Sequence, residues 1–462
     1  MQRLFAIASV TWKAAFRFRL FWVLTVLLLG SVVALPLLIK DDGTARGFTQ
    51  ILMTYTLSVI TALLGLCTLW LACGTLARDI EECQIQVVAV KPVARWQIWL
   101  GKWLGIVSLN AALLAISGAG VFLLMQWRAT RLPEKEQTVL RKEVLVARGS
   151  AKPPNQLPEI EAEAIRLTKQ RLATTKISGA DLAEVHRQIL EQLKAGAQIV
   201  PPGYAKEWRV NLGLQKYFLR GKPLHLRIKF NTAETVASGI TYTGLWQVGV
   251  PETPRIWRSN RMSLAPDTHH EFEIPADLVG DDGVLTIAFV NANDVVLLFP
   301  IEDGMEVLYP EGGFALNYMR GLGVIFCWMA LLATLGLAAA SFLSFPVAAF
   351  FSLALLAISL SSGTMASAVT EGTVMGYNEE KGTAGKSIVD PVAIPVFRAL
   401  LGLIKLAKDF SPIDSLSTGR SVSWAELGRA FGQIVLLLGG VLAAFGITLF
   451  TRRELATAQG TQ

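Results

Sequence analysis

QVVAVKPVARWQIWLGKWLG, residues 86–105, joins two apolar runs, 51–77 and 103–127. A membrane span needs about 20 apolar residues, and each run is long enough. Lys91, Pro92, Arg95 and Lys102 fall between them. A short basic stretch between two such runs reads as the turn of a membrane hairpin, not as part of a soluble core.

Outward from this hairpin, four more blocks qualify: 20–39, 321–343, 347–365 and 431–450. The chain has 462 residues, 52% hydrophobic and only 17% charged. A soluble protein carries about 25% charged residues. The deficit lies at both ends, around a polar middle. The expected fold class is therefore an α-helical polytopic membrane protein with six transmembrane helices and a large insert. The first block is too long for a cleaved leader, and PLLIK at 36–40 is no small-residue cleavage site.

Lys and Arg near the span ends set the orientation. Arg3, Lys13, Arg17 and Arg19 precede the first span; Arg78, Lys91, Arg95 and Lys102 follow the second; Arg452 and Arg453 follow the sixth. These basic ends are expected in the cytoplasm, with both termini. The insert and the segment 366–430 are then extracytoplasmic, in a cell (inner) membrane. The four cysteines, Cys67, Cys73, Cys83 and Cys327, all lie outside the insert. An extracytoplasmic insert without cysteines must be held by its core.

The expected division is 1–127 for an N-terminal amphipathic helix and spans one to three, 128–206 for a helical stalk, 207–312 for an antiparallel β-sandwich, and 313–462 for spans four to six. In the stalk, Leu182, Val185, Ile189 and Leu193 recur at helical spacing. From Leu224 the period changes to two: Leu224, Leu226, Ile228 and Phe230 alternate with His225, Arg227 and Lys229. Further short alternating runs follow, separated by turn residues such as Asp281, Asp282 and Gly283.

The segment 391–409 predicts an outer amphipathic helix. Arg398, Gly402 and Lys405 fall on one stripe, with Leu400 and Ile404 on the apolar side. Arg398, Leu400, Ile404 and Lys405 are the candidate outer-gate residues.

No chemistry-bearing motif survives inspection. GTAGKS at 382–387 lacks the phosphate-loop glycine, because Glu380 stands there. His270 and Glu271 lack the second histidine of a zinc-protease helix, since residue 274 is Ile. No catalytic residue, cofactor, metal or nucleic-acid partner is expected, and the chain is not expected to be an enzyme. The apolar blocks hold no ionisable residue deep inside, so ion-coupled transport has no residues to run on. Energy for transport must come from elsewhere.

Within 78–102, a positive-inside anchor with a tryptophan belt (Trp96, Trp99, Trp103) explains the basic residues. It leaves Asp79, Glu81 and Glu82, beside the apolar strip of Ile85, Val87, Val88 and Val90, without a reason. A docking site for a cytoplasmic partner supplies one. The stretch ARDIEECQIQVVAVKPVARWQIWLGKWLG, 77–105, resembles the loop after the second span in permease subunits of ABC-2 type ABC transporters. Glu81 and Glu82 match its acidic pair, Lys91, Pro92 and Arg95 its basic–Pro–Arg signature, and Gly101 and Lys102 its Gly-Lys. FSPIDSLSTGRSVSWAELG at 410–428 and LFTRRELA at 449–456 are similar to that family's last-span flanks. Cys83 departs from the glycine that often follows the acidic pair, and the insert is far larger than the usual loop.

The resemblance implies an exporter permease whose coupling loop, carrying Arg78, Asp79, Glu81, Glu82, Lys91, Pro92, Arg95 and Lys102, is gripped by a separate cytoplasmic ABC ATPase subunit. It also implies a second permease subunit, the same or different, in contact with membrane lipid. The insert suggests an extracytoplasmic protein partner. Two alternatives stand beside this reading: an ATP-driven relay of motion to the insert without transport, and a membrane receptor or scaffold. Gly336 with Ala340, and Gly439, Gly440 and Gly446, suit close helix packing either within one subunit or between two.

Overall fold

The computed structural model describes residues 2–38, 44–85, 93–140, 144–174, 179–213, 219, 221–232, 240–249, 256–280, 282–375, 377–378, 383–384, 389–408 and 410–453. Contacts divide the chain into two units, 1–146 with 313–462, and 147–312.

The first unit is helical. It opens with α1 (Gln2–Ala15), α2 (Arg19–Leu38), α3 (Ala45–Glu81), α4 (Arg95–Ala129) and the short α5 (Glu134–Val139). The second unit follows and contains α6 (Leu157–Thr174) and α7 (Gly179–Gln198). The chain then returns through α8 (Phe314–Ala340), α9 (Phe345–Leu360), α10 (Ser362–Glu371), α11 (Asp390–Lys408), α12 (Pro412–Ser417) and α13 (Trp424–Ala430). A π-helical stretch, Phe431–Gly439, leads into α14 (Gly440–Arg452).

Five helices among the described residues are long and apolar enough to cross a membrane: α2, Gly47–Glu81 of α3, α4, α8 and Trp424–Arg452. The block expected as a straight fifth span is broken. Its two parts, α9 and the start of α10, meet at 58°, the bend of a broken span or of a re-entrant loop; counted as one span, the pair brings the number to six. The reason is local. Ser361, Ser362 and Gly363 are poor helix formers at the break. The 16 residues of α9 reach about 24 Å, short of the ~30 Å hydrocarbon layer. The π-helical start of the last span had no signal in the apolar pattern, which fixes only that a helix forms.

The core of this unit gathers Leu57, Leu64 and Leu71 from α3, Ile106, Leu114 and Val121 from α4, and Ile325, Ala333 and Leu337 from α8. Small residues set the helix spacing. A β-carbon on Gly336 would lie 2.7 Å from the Ala72 β-carbon, and one on Gly446 2.9 Å from the Ala338 α-carbon. Both glycines therefore pack helices of the same chain. Gly101 and Gly105, one turn apart on α4, are pressed as closely by Ile7 and Thr11 of α1.

The second unit is antiparallel β. One sheet has the order β1 (Val146–Ala151), β12 (Met305–Gly313), β4 (Leu224–Ile228), β9 (His270–Ile274). Another has β3 (Ala205–Asn211), β10 (Val284–Asn291), β6 (Tyr242–Gly249), β7 (Ile256–Arg258), with β8 (Met262–Leu264) also on β6. A small third sheet joins β2 (Ile199–Val200), β11 (Leu297–Leu298) and β5 (Asn231–Thr232). Leu224, Leu226 and Ile228 of β4 share one apolar cluster with Trp246 of β6 and Ile287 and Phe289 of β10. The two larger sheets thus meet across the face that the alternation singles out.

Two features differ from the sequence expectation. First, β1 lies in the part read as helical, and it pairs with β12. The helices α6 and α7 therefore interrupt the β region rather than precede it. Second, the polar face of β4 is not solvated. His225 is buried, and Arg227 lies opposite both Glu306 and Glu271 in the ladders. Arg227 pairs with Glu306 at 3.3 Å, Arg148 pairs with Glu271, and the Ser150 hydroxyl donates to Glu306 at 2.9 Å. Neighbouring strands supply the counter-charges that let this face be covered.

Candidate functional site

The hairpin between α3 and α4 is the site that the sequence singles out. Helix α3 runs through Arg78 and Asp79 to Glu81 and stops at Cys83. Cys83 has φ +57°, uncommon for a residue with a side chain, and it turns the chain away from the helix axis. Ile85 is buried. Helix α4 restarts at Arg95, with the Ala94 N–H donating to Gln97 Oε1 at 3.3 Å. Lys91 and Pro92, with Val87, Val88 and Val90, lie outside the described residues.

The charged residues on either side of the turn bind other helix ends. A helix leaves its last carbonyls and first amides without intrahelical partners, so a charged side chain there both bonds and balances the dipole. Arg95 Nη1 donates to the carbonyls of Phe450 at 3.2 Å, Thr451 at 2.7 Å and Arg453 at 2.8 Å, capping the end of α14. Arg453 Nη1 in turn donates to the Ser341 carbonyl at 3.2 Å, at the end of α8. Glu81 Oε1 accepts from the Phe345 N–H at 2.7 Å, at the start of α9. The Arg78 guanidinium lies 4.5 Å from the Phe345 ring centroid and 5.0 Å from that of Phe18. Lys102 is only 6% exposed; its ammonium donates to the Thr75 carbonyl at 2.7 Å and pairs with Asp79 at 2.5 Å.

Five of the six described residues of the expected coupling loop thus hold the bundle's own helices. The sixth, Glu82, is exposed and accepts from Gln84 Nε2 at 2.6 Å. Together these bonds gather the ends of α3, α8 and α14 and the starts of α4 and α9 at one end of the unit. Glu82, Cys83 and Gln84 remain exposed there.

The tryptophans also depart from expectation. Trp99 is fully buried and donates to Ser341 Oγ at 3.2 Å, and Trp103 donates to Thr334 Oγ1 at 2.8 Å. Only Trp96 is exposed as a belt residue should be. Helices α8 and α14 explain this: Trp103 bonds to Ala330 and Thr334 of α8, Trp99 bonds to Ser341 at its end, and Gly446 of α14 lies against the Trp99 ring.

At the opposite end, Ala45 N donates to Glu136 Oε2 at 2.8 Å, Arg128 donates to the Pro36 carbonyl, and Asn317 brackets the 420–422 backbone through Arg420 O and Val422 N. Helix α11 is anchored by Trp328 Nε1, which donates to the Ala407 carbonyl at 3.2 Å, and by buried Leu401. Arg398 and Lys405 are exposed, and Leu400 and Ile404 are half-buried. The apolar residues Val392, Val396 and Leu403 are exposed as well. Helix α11 therefore presents three faces, one packed, one charged and one apolar and uncovered, as a helix lying in a membrane interface does.

The sequence offered no direct signal for the partners of Arg95 and Glu81, because both bind backbone atoms. The only hint was that the basic pair Arg452 and Arg453 closes the last span. Among the described residues, no group of three His, Cys, Asp or Glu side chains is placed to hold a metal. No family model, curated protein or solved structure matches this chain.

Proposed function

We propose that the chain is the membrane-spanning permease subunit of an ATP-driven exporter of the ABC-2 type, working as a pair and driven by a separate ATPase. The exposed turn at Glu82 and Cys83, with the segment up to Ala94, is the ATPase dock. It lies on the cytoplasmic side with both termini, and 147–312 lies outside. One observation carries this reading: the turn is exposed, yet its two flanks are bonded to the start of α9 and the end of α14, and Arg453 ties that end to α8. A partner that pushes on such a turn moves several helix ends at once. Glu81 and Arg95 then transmit motion, and Glu82 meets the partner. In this reading α11 lies in the outer lipid interface, beside the mouth of the pathway; the exposure of Val392, Val396 and Leu403 supports it.

A tagged full-length chain, extracted in detergent, should bring down an ATP-hydrolysing subunit. Cys83 should react with an impermeant maleimide in inverted vesicles and stay unreacted in intact cells. Labelling of Cys83 from outside, or a purified chain with no ATPase, would overturn the reading.

The size of 147–312 favours one second reading, a relay in which the same ATPase drives that unit against an envelope partner without transport. Vesicle transport by a chain lacking 147–312 separates the two: an exporter keeps some uptake, and a relay never had any.

A further inference from the structure

Among the described residues, neither α6 nor α7 contributes to the core shared by the sheets. The two helices pack on each other through Ala164, Thr168 and Ile189, all buried, and through a hydrogen bond between Thr168 Oγ1 and His186 Nδ1 at 3.1 Å. That contact uses one stripe of α6. A second stripe faces outward: Pro158, Ala162, Ile165 and Leu172. Ile165 is 44% exposed and Leu172 38%. A helix of this length with two apolar stripes is made to pack on two sides.

The charges of α6 are segregated. Glu159, Glu161 and Glu163 occupy its first half; Arg166, Lys169 and Arg171 occupy its second. The segregation also suits the helix dipole. The dipole gives no reason for the outward apolar stripe. A parallel neighbour of the same sequence would set like charge against like. An antiparallel copy sets each acidic half against a basic half. Ile165 lies at the middle of Leu157–Thr174. With a two-fold axis at Ile165, that residue meets its own copy, Glu161 meets Lys169 twice, and Leu172 meets Pro158 twice. An interface between identical subunits must be self-complementary in this way.

We infer that the outward stripe of α6 is a homodimer contact, centred on Ile165, that docks a second copy of this chain in antiparallel register. The inference rests on the pairing proposed above and names its surface outside the membrane unit. The contact is small. Two copies already held in one membrane need only a weak one, because tethering raises their effective concentration.

The test uses the full-length chain in membranes, with Cys67, Cys73, Cys83 and Cys327 replaced. Ile165→Cys should form a disulfide-linked dimer on mild oxidation. Ala195→Cys, exposed on α7, should not. Glu161→Lys or Lys169→Glu alone should lower the Ile165→Cys cross-link roughly tenfold by setting like charges together. The double exchange, Glu161→Lys with Lys169→Glu, should restore it. A chain that sediments as a dimer but gives no cross-link at residue 165, or a double exchange that fails to restore it, overturns this surface and leaves the pairing standing. A chain that is monomeric in the membrane overturns both.

Discussion

Arg95 and Arg398 are both basic residues on helices that border the membrane part, and both stand out in the sequence for the same reason. Their surroundings are opposite. Arg95 donates to three carbonyls at the end of α14, and Arg398 is exposed on α11. The same holds for Lys102, buried against Asp79, and the exposed Lys405. Charge at a span end thus has two uses, closing a neighbouring helix or facing what lies outside the chain. The sequence position does not tell them apart. At the 82–94 end the charges mostly hold the bundle together; on α11 they face outward.

The largest expected contrast is at the lysines. Lys102→Met should destabilise the membrane unit by about 3 kcal/mol, because it removes a buried ammonium from both the Thr75 carbonyl and Asp79. Lys405→Met should change stability by less than about 0.5 kcal/mol. Thermal unfolding in detergent reads both. Adding Asp79→Leu to Lys102→Met should recover much of the loss. Equal effects of the two lysine substitutions would erase the contrast.

Next come the helix caps. Arg95→Ala removes a charged donor from three carbonyls and should cost about 2 kcal/mol. It should also open the 452–453 bonds to trypsin, which Arg398→Ala should not. Glu81→Ala should cost about 1 kcal/mol through the start of α9, whereas Glu82→Ala should be neutral. Helix α11 offers the reverse contrast, in activity rather than stability. Ile404→Asp, on its half-buried side, should impair vesicle transport far more than Lys405→Gln, on its exposed side. Equal and mild effects would make α11 a surface anchor.

Much of the fold was legible because it follows from period and composition. Leu224, Leu226 and Ile228 alternate, and they fill a sheet core. Five apolar blocks became long helices for the same reason. The misses share a physical cause. The pattern of one segment does not say what its neighbours carry. His225 and Arg227 read as a wet face until Glu271 and Glu306 appear on the flanking strands. Trp99 and Trp103 read as interface residues until α8 and α14 cover them. The strand Val146–Ala151, VARGSA, has too little alternation to be found without β12 beside it. At the candidate site the sequence marked a run of charged residues between two helices. It did not show that Glu81 and Arg95 are used internally, because their partners are backbone atoms.

The second unit holds a lysine between the two extremes, read through pH. Lys206 on β3 donates to the Ala197 carbonyl, and burial lowers its pKa from 10.5 to about 8. Between those values the unfolded chain holds a proton that the folded chain has released. Stability of this unit should therefore rise as pH climbs from about 8 to about 10.5. Lys206→Met should flatten that rise, and an unchanged pH profile would contradict the burial of this ammonium.

The docking role of the turn is tested most directly by Glu82→Lys, with thermal stability and co-purifying ATP hydrolysis measured on the same sample. Glu82 caps no other helix, so the melting temperature should match that of the unaltered chain. The ATPase should be lost or strongly reduced. Full ATPase recovery with an unchanged melting temperature would contradict the assignment of Glu82 and its turn as the dock.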